Sequence, residues 1–199
     1  MTSHRLEAFS DGVLAIIITI MVLELKIPHV TTLPELEPLL PVFLSYLLSF
    51  IYVGIYWNNH HHLFQSTEKV TGPILWANLH LLFWLSLFPF STGWMGENHL
   101  APTPVSVYGF VLLMAAVAYN ILQRLIIREQ GRHSLLADAV GHDWKGKLSP
   151  VLYFAGLIFA FFNVWISIAL YIGVAALWFI PDRRIEEKLA EVEDKPESS

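Results

Sequence analysis

Ser10-Asp11-Gly12-Val13-Leu14-Ala15-Ile16-Ile17-Ile18-Thr19-Ile20-Met21-Val22-Leu23 places a hydroxyl and a carboxylate at the head of a run that is otherwise apolar apart from Thr19. A carboxylate at the centre of a membrane helix costs roughly 2.5–3.5 kcal/mol on insertion scales, and less near the end. Ser10 and Asp11 therefore need polar partners inside the protein, and the rest of the chain is read by looking for them.

The composition is that of an integral membrane protein. Hydrophobic residues make up 55% and charged residues 15% of 199 positions, and the mean hydropathy is +0.53. A water-soluble core of this size needs a far more charged surface. The net charge of -5 is set partly by the stretch from Asp182 to Ser199, which reads as a polar cytoplasmic tail behind one membrane domain, residues 1–181. With no cysteine, disulfides, thiolate metal sites, palmitoylation and Cys nucleophiles are excluded. The first apolar run is longer than a signal-peptide core and ends in Leu25-Lys26-Ile27-Pro28 rather than a small-residue cleavage site, so a membrane span is expected there.

About 20 apolar residues cross a bilayer as a helix. Leu6–Ile27, Leu39–Phe64, Pro73–Trp94 and Val105–Ile127 qualify, while Leu148–Ile180 is too long for one upright span and short for two. The basic residues resolve it. Arg5, Lys69, Arg124, Arg128, Arg132, Lys145, Lys147, Arg183, Arg184, Lys188 and Lys195 fall on one face if the last stretch is a helical hairpin turning near Asn163–Ser167. Only Lys26 of the 12 Lys and Arg falls on the other. The positive-inside rule then puts both termini in the cytoplasm. The expected fold is an all-α bundle of six transmembrane helices, multi-pass in the cell's inner membrane.

That topology brings polar groups to one depth. Ser10 and Asp11 open the first span, Trp57, Asn58, Asn59 and His60–His62 close the second, and Asn78 and His80 lie about two turns into the third. The ordinary meaning of such a layer is mutual satisfaction of buried polar groups. A proton relay or ion site is the functional alternative. Adjacent helical residues point about 100° apart, so the histidine triplet cannot converge on one metal ion, and no metal site is expected. An Asp11–His80 hydrogen bond is the specific pairing expected. On the first helix Ile16, Ile20, Leu23 and Ile27 share one stripe, with Thr19 about 60° off it. Alone, that stripe reads equally as buried or lipid-facing surface.

Arg5-Leu6-Glu7-Ala8-Phe9-Ser10-Asp11 resembles the Arg-x-x-x-Phe-Ser-Asp signature of the transmembrane protein 175 potassium channels. The resemblance continues through Tyr56-Trp57-Asn58-Asn59-His60-His61, through Asn78-Leu79 with Phe88-Pro89-Phe90, and to Trp178-Phe179-Ile180-Pro181. It implies a homotetramer with the first helices lining a central pore, and Ile16 as the constriction. The next pore-facing layers fall on Thr19 or Ile20 and then Leu23, with Ile27 at the end of the stripe. Arg5, Phe9, Ser10, Asp11, Trp57, Asn78 and His80 are implied as support for the pore helix rather than as ion ligands. The permeant ion is potassium, with weak selectivity among monovalent cations, and no other cofactor is implied. The chain contains no Thr-Val-Gly-Tyr-Gly filter. Glu24, Glu35, Glu37 and Glu97 sit on the face nearly free of Lys and Arg, where four copies would concentrate cations.

A proton- or ion-coupled carrier built on the Asp11–His80 layer is the main rival. A membrane enzyme is disfavoured, because the polar layer contains no nucleophile–base pair, phosphate loop or metal set. Nucleic acid is not expected as a partner, since the basic residues are dispersed at helix ends where topology accounts for them.

Overall fold

The computed structural model describes residues 3–27, 29, 32–65, 67, 69–130 and 144–179, all of it helix, turn or irregular chain. The helices are α1 (Ser3–Leu23), α2 (Leu40–Gln65), α3 (Gly72–Ser86), α4 (Phe88–Glu97), α5 (Pro102–Gln130), α6 (Trp144–Phe159) and α7 (Val164–Phe179), with a short 3-10 helix over Leu33–Leu39. The expected tail, residues 182–199, lies outside the described residues, as does Ile180.

α1 buries Leu6, Ser10, Leu14, Ile17 and Met21, a helical stripe spaced by four, four, three and four. The helix ends earlier than the apolar run. Glu24 N still bonds Ile20 O, but Leu25 N bonds Val22 O, a tighter i→i−3 closure, and the regular winding stops at Leu23. Ile27 precedes Pro28, whose ring disfavours helical backbone at the residue before it. Ile27 is therefore beyond the helix and does not complete its stripe.

The third expected span is broken at Leu87 into α3 and α4. Pro89 has no N–H and its ring clashes with the carbonyl four residues back, so a kink there is the expected cost of its position. Leu87 N closes on Trp84 O and Ser91 N reopens the ladder on Leu87 O. Gly72–Glu97 remains apolar enough to cross a bilayer as one kinked span. Among the described residues the other helices of sufficient length and hydropathy are Ser3–Leu23, Leu36–Gln65 and Pro102–Gln130.

α6 and α7 form the hairpin expected from the basic flanks, turning over residues 160–163. Asn163 Oδ1 accepts from Trp165 N at 3.0 Å, an N-cap that starts α7, and Ser167 Oγ donates across the hairpin to Gly156 O at 2.6 Å. Each arm has 16 residues, or about 24 Å, short of a hydrocarbon core of about 30 Å.

α5 is the central helix, packed on α3, α4, α6 and α7. Its buried face mixes Tyr108, Leu112, Leu122 and Ile126 with Gly109, Ala115, Ala116 and Ala118, the small residues that let helices approach closely where lipid is as apolar as the core. Polar hydroxyls are paired within this core. Ser49 Oγ meets Thr92 Oγ1 at 2.7 Å and Tyr108 Oη at 3.0 Å, and Tyr52 Oη donates to Tyr171 O at 2.6 Å.

Candidate functional site

The two faces of α1 differ in partners rather than in hydropathy. Its packed stripe is held by α2, α3 and α4. On the opposite side Ile16 is 58% exposed, Ile20 41% and Leu23 80%, while Phe9 is 51% exposed and Ile27, past the helix, 82%. Thr19 is exposed on the same side, and its hydroxyl proton goes to Ile16 O at 2.9 Å. The Thr19 oxygen is left with lone pairs free to face outward.

Behind α1 the three helices that close the cytoplasmic end in the expected topology meet through a fully buried chain. Ser10 and Asn78 are 0% exposed and His60 1%. Ser10 Oγ donates to Leu6 O at 2.9 Å, and Asn78 Nδ2 donates to Ser10 Oγ at 2.9 Å. His60 Nε2 lies 2.8 Å from Asn78 Oδ1. Because that amide nitrogen is committed to Ser10, the amide oxygen must accept, which fixes the His60 proton on Nε2. His60 Nδ1 is then a buried lone pair with no partner among the described residues. Amide orientation, tautomer and helix register specify one another here.

A second set of contacts runs along the α1–α2 edge. Trp57 Nε1 donates to Asp11 Oδ1 at 3.1 Å, His61 Nδ1 reaches Glu7 Oε1 at 2.6 Å, and Ser3 Oγ donates to Phe64 O at 3.0 Å. The expected Asp11–His80 bond does not form within the chain. Asp11 is taken by Trp57, and His80 Nε2 accepts from Trp84 Nε1 one turn along its own helix at 2.9 Å. Indole N–H donors of suitable reach stand closer to both groups than they stand to each other. Arg5 is exposed and Phe9 faces outward with it. The structure thus brings together Ser10 with Asn78 and Asp11 with Trp57, and sets His80 apart.

The triplet diverges as helical geometry requires, His60 toward α3 and His61 toward α1. Among the described residues no group of three or more His, Asp or Glu is arranged to hold a metal ion. Sequence reading missed the roles of Glu7, His60 and His61. The signal was present in the spacing, since Glu7 stands four residues before Asp11 and His61 four after Trp57, so two acceptors on one helix meet two donors on the next.

These contacts rank two substitutions. Asn78→Leu strands the His60 Nε2 proton inside the bundle and removes the donor to Ser10 Oγ, which keeps its bond to Leu6 O, and is expected to lower unfolding free energy by about 1–3 kcal/mol. Asp11→Ala removes a bond to an indole that is 46% exposed and should cost under about 1 kcal/mol. Denaturant unfolding of the purified protein in detergent measures both, and equal losses would contradict the assignment of the buried chain as the main brace.

Comparison with known proteins agrees with this architecture. A family model described as endosomal/lysosomal potassium channel TMEM175 matches residues 5–89, which span α1 to the kink at Pro89. A protein named potassium channel from Chryseobacterium sp. (strain P1-3) is 58% identical over 191 residues, 96% of this chain and 100% of that one. Another protein named potassium channel, from Chamaesiphon minutus, is 32% identical over 88% of this chain and 92% of its own. The crystal structure of a lysosomal potassium-selective channel TMEM175 homolog from Chamaesiphon Minutus superposes with a TM-score of 0.77 at 29% identity, covering 90% of this chain and 97% of that one. With a full-length relative at that identity and the same helical architecture in a solved homolog, the chain belongs to the TMEM175 family of membrane channel proteins.

Proposed function

We propose that this chain is one subunit of a weakly potassium-selective monovalent cation channel of the inner membrane. In this reading it crosses six times with both termini cytoplasmic, assembles as a homotetramer, and lines its pore with α1. The observation that carries the reading is the exposed apolar stripe Ile16, Ile20 and Leu23 on the helix whose other face is locked into the bundle, in a chain 58% identical to a full-length relative named potassium channel.

The chemistry follows from that stripe. Apolar side chains converging on an axis make a neck that water leaves spontaneously, which closes the path without a plug. Tilt or rotation of α1 widens the ring at Ile16. Potassium passes more readily than sodium because stripping water from the smaller ion costs more. Thr19, whose proton is committed to Ile16 O, offers an oxygen that replaces part of that water. Pro102–Gln130 and the α6–α7 hairpin act as the outer scaffold. At the outer mouth Glu24 and Glu37 are exposed, whereas Glu97 is bridged by Lys26, so cation attraction there rests on fewer carboxylates than the sequence suggests. The carrier alternative loses its central Asp11–His80 pair, since each residue is bonded elsewhere.

The purified protein in liposomes loaded with potassium should release it with unitary currents and weak temperature dependence, and its mass in detergent should be that of four chains. Saturating, stoichiometrically coupled transport by a monomer or dimer would replace the channel with a carrier.

A further inference from the structure

Near its two ends α1 is tied to two different neighbours by pairs that include none of the fixed residues Arg5, Phe9, Ser10 and Asp11 of the Arg-x-x-x-Phe-Ser-Asp motif. At its inner end Glu7 meets His61 on α2 at 2.6 Å. Past its outer end, three residues beyond Leu23, Lys26 meets Glu97 on α4. The two ties are unequal. The Glu7 side chain is 13% exposed and that of His61 38%, against 80% for Lys26 and 52% for Glu97. An exposed pair is screened and weak, whereas a carboxyl group largely withdrawn from water holds its hydrogen-bond partner more firmly, because breaking the bond leaves a poorly hydrated polar group unpaired.

The inner tie is also built. Ser3, Glu7 and Asp11 repeat every four residues on one face of α1 and meet Phe64, His61 and Trp57 in reverse order on antiparallel α2. The His61 ring lies at 16° to the Trp57 indole with centroids 6.2 Å apart, so the indole that holds Asp11 also orients the imidazole that holds Glu7. Glu7 stands nine residues below Ile16, about 13 Å along a rigid helix.

Resting on the reading of α1 as pore wall, we infer that Glu7 and His61 are positioning residues: they form the pivot that fixes the inner end of the pore helix on α2 while the weakly held outer end swings. The pair touches no permeant ion. It sets how often the neck at Ile16 is open, not what passes when it is.

Single-channel recording separates these two quantities. Glu7→Gln and His61→Gln should each change open probability by about fivefold or more, the lower range of coupling between structural elements, with unitary conductance unchanged. The exchanged protein, Glu7→His with His61→Glu, should return toward wild type. Lys26→Gln should have a smaller effect that vanishes in high salt. Should a single variant fail to fold, the exchange decides: recovered yield and gating support the pivot, and no recovery overturns it. Absence of any wild-type current overturns the channel reading. A wild-type current whose open probability is the same in both Gln variants overturns the pivot alone.

Discussion

Ile16→Asn should raise potassium efflux from liposomes by about tenfold or more, the scale on which about 1.4 kcal/mol less barrier acts. The proposed seal is the absence of groups that hold water. Ile16 is 58% exposed on the unpacked side of α1, and its change to an amide adds two donors and an acceptor at that height. Four such amides around an axis keep a neck wet that four sec-butyl groups leave dry. The neighbouring position supplies the control. Ile17 is 3% exposed on the packed face, so Ile17→Asn buries an unsatisfied amide against α2–α4 and should reduce folded protein without a leak from what survives. Ile20→Asn, one turn further out, should leak less than Ile16→Asn if the narrowest ring is at Ile16. Unchanged efflux from Ile16→Asn would remove that residue from the constriction and leave its stripe as lipid-facing surface.

What the sequence disclosed divides along a physical line. Hydropathy, charge and helix period are properties of one segment at a time. They located the helices, the α6–α7 hairpin from its two basic flanks, and the depth at which Ser10, His60 and Asn78 meet. Which polar atom bonds which is a property of two helices at once, fixed by rotation and register that no segment encodes. That is why Asp11 is found with Trp57 and not with His80, although all three were read into one layer. His80 was satisfied by Trp84 within its own helix, a local solution at i+4 spacing that a search for partners across helices passed over. The break at Leu87 was legible in principle, since Pro89 stands two residues beyond it in the sequence, whereas α1 stops at Leu23, well before the first proline that could end it. An apolar run simply continues past a proline in hydropathy while the helix does not. The proposed pore role of the stripe rests on resemblance, because an unpacked apolar face has the same composition whether it meets lipid, another subunit or a dewetted axis.

Gly109→Ala should be among the most damaging single methyl additions in the chain. Tyr171 is 0% exposed, its ring seated between α5 and α6 where both helices carry glycine. A Cβ on Gly109 would stand 1.9 Å from Tyr171 Oη and 2.6 Å from Cζ, and one on Gly156 would stand 2.4 Å from Cε1 and 3.0 Å from Cζ. The ring has nowhere to retreat. It also meets the rings of Tyr108 and Tyr153, its hydroxyl donates to Val105 O at 3.4 Å, and the backbone of its own residue accepts the Tyr52 hydroxyl. Overpacking of this kind ordinarily costs about 1–3 kcal/mol, and a clash with a ring held on three sides belongs at the upper end or beyond. Thermal unfolding in detergent should show Gly109→Ala as a large loss of stability and of folded yield. Tyr171→Phe in the same chain should recover only part, because it removes the oxygen at 1.9 Å and leaves the ring carbon at 2.6 Å. Tyr171→Leu, which withdraws the ring, should recover more of the clash while adding a cavity penalty of its own. Gly54→Ala, where an added Cβ meets nothing within 4 Å, should be neutral or slightly stabilising through helix propensity. Equal stability of Gly109→Ala and Gly54→Ala would mean that α5, α6 and α7 do not close on Tyr171 as described, and with that the packing behind α2 and α1 would have to be redrawn.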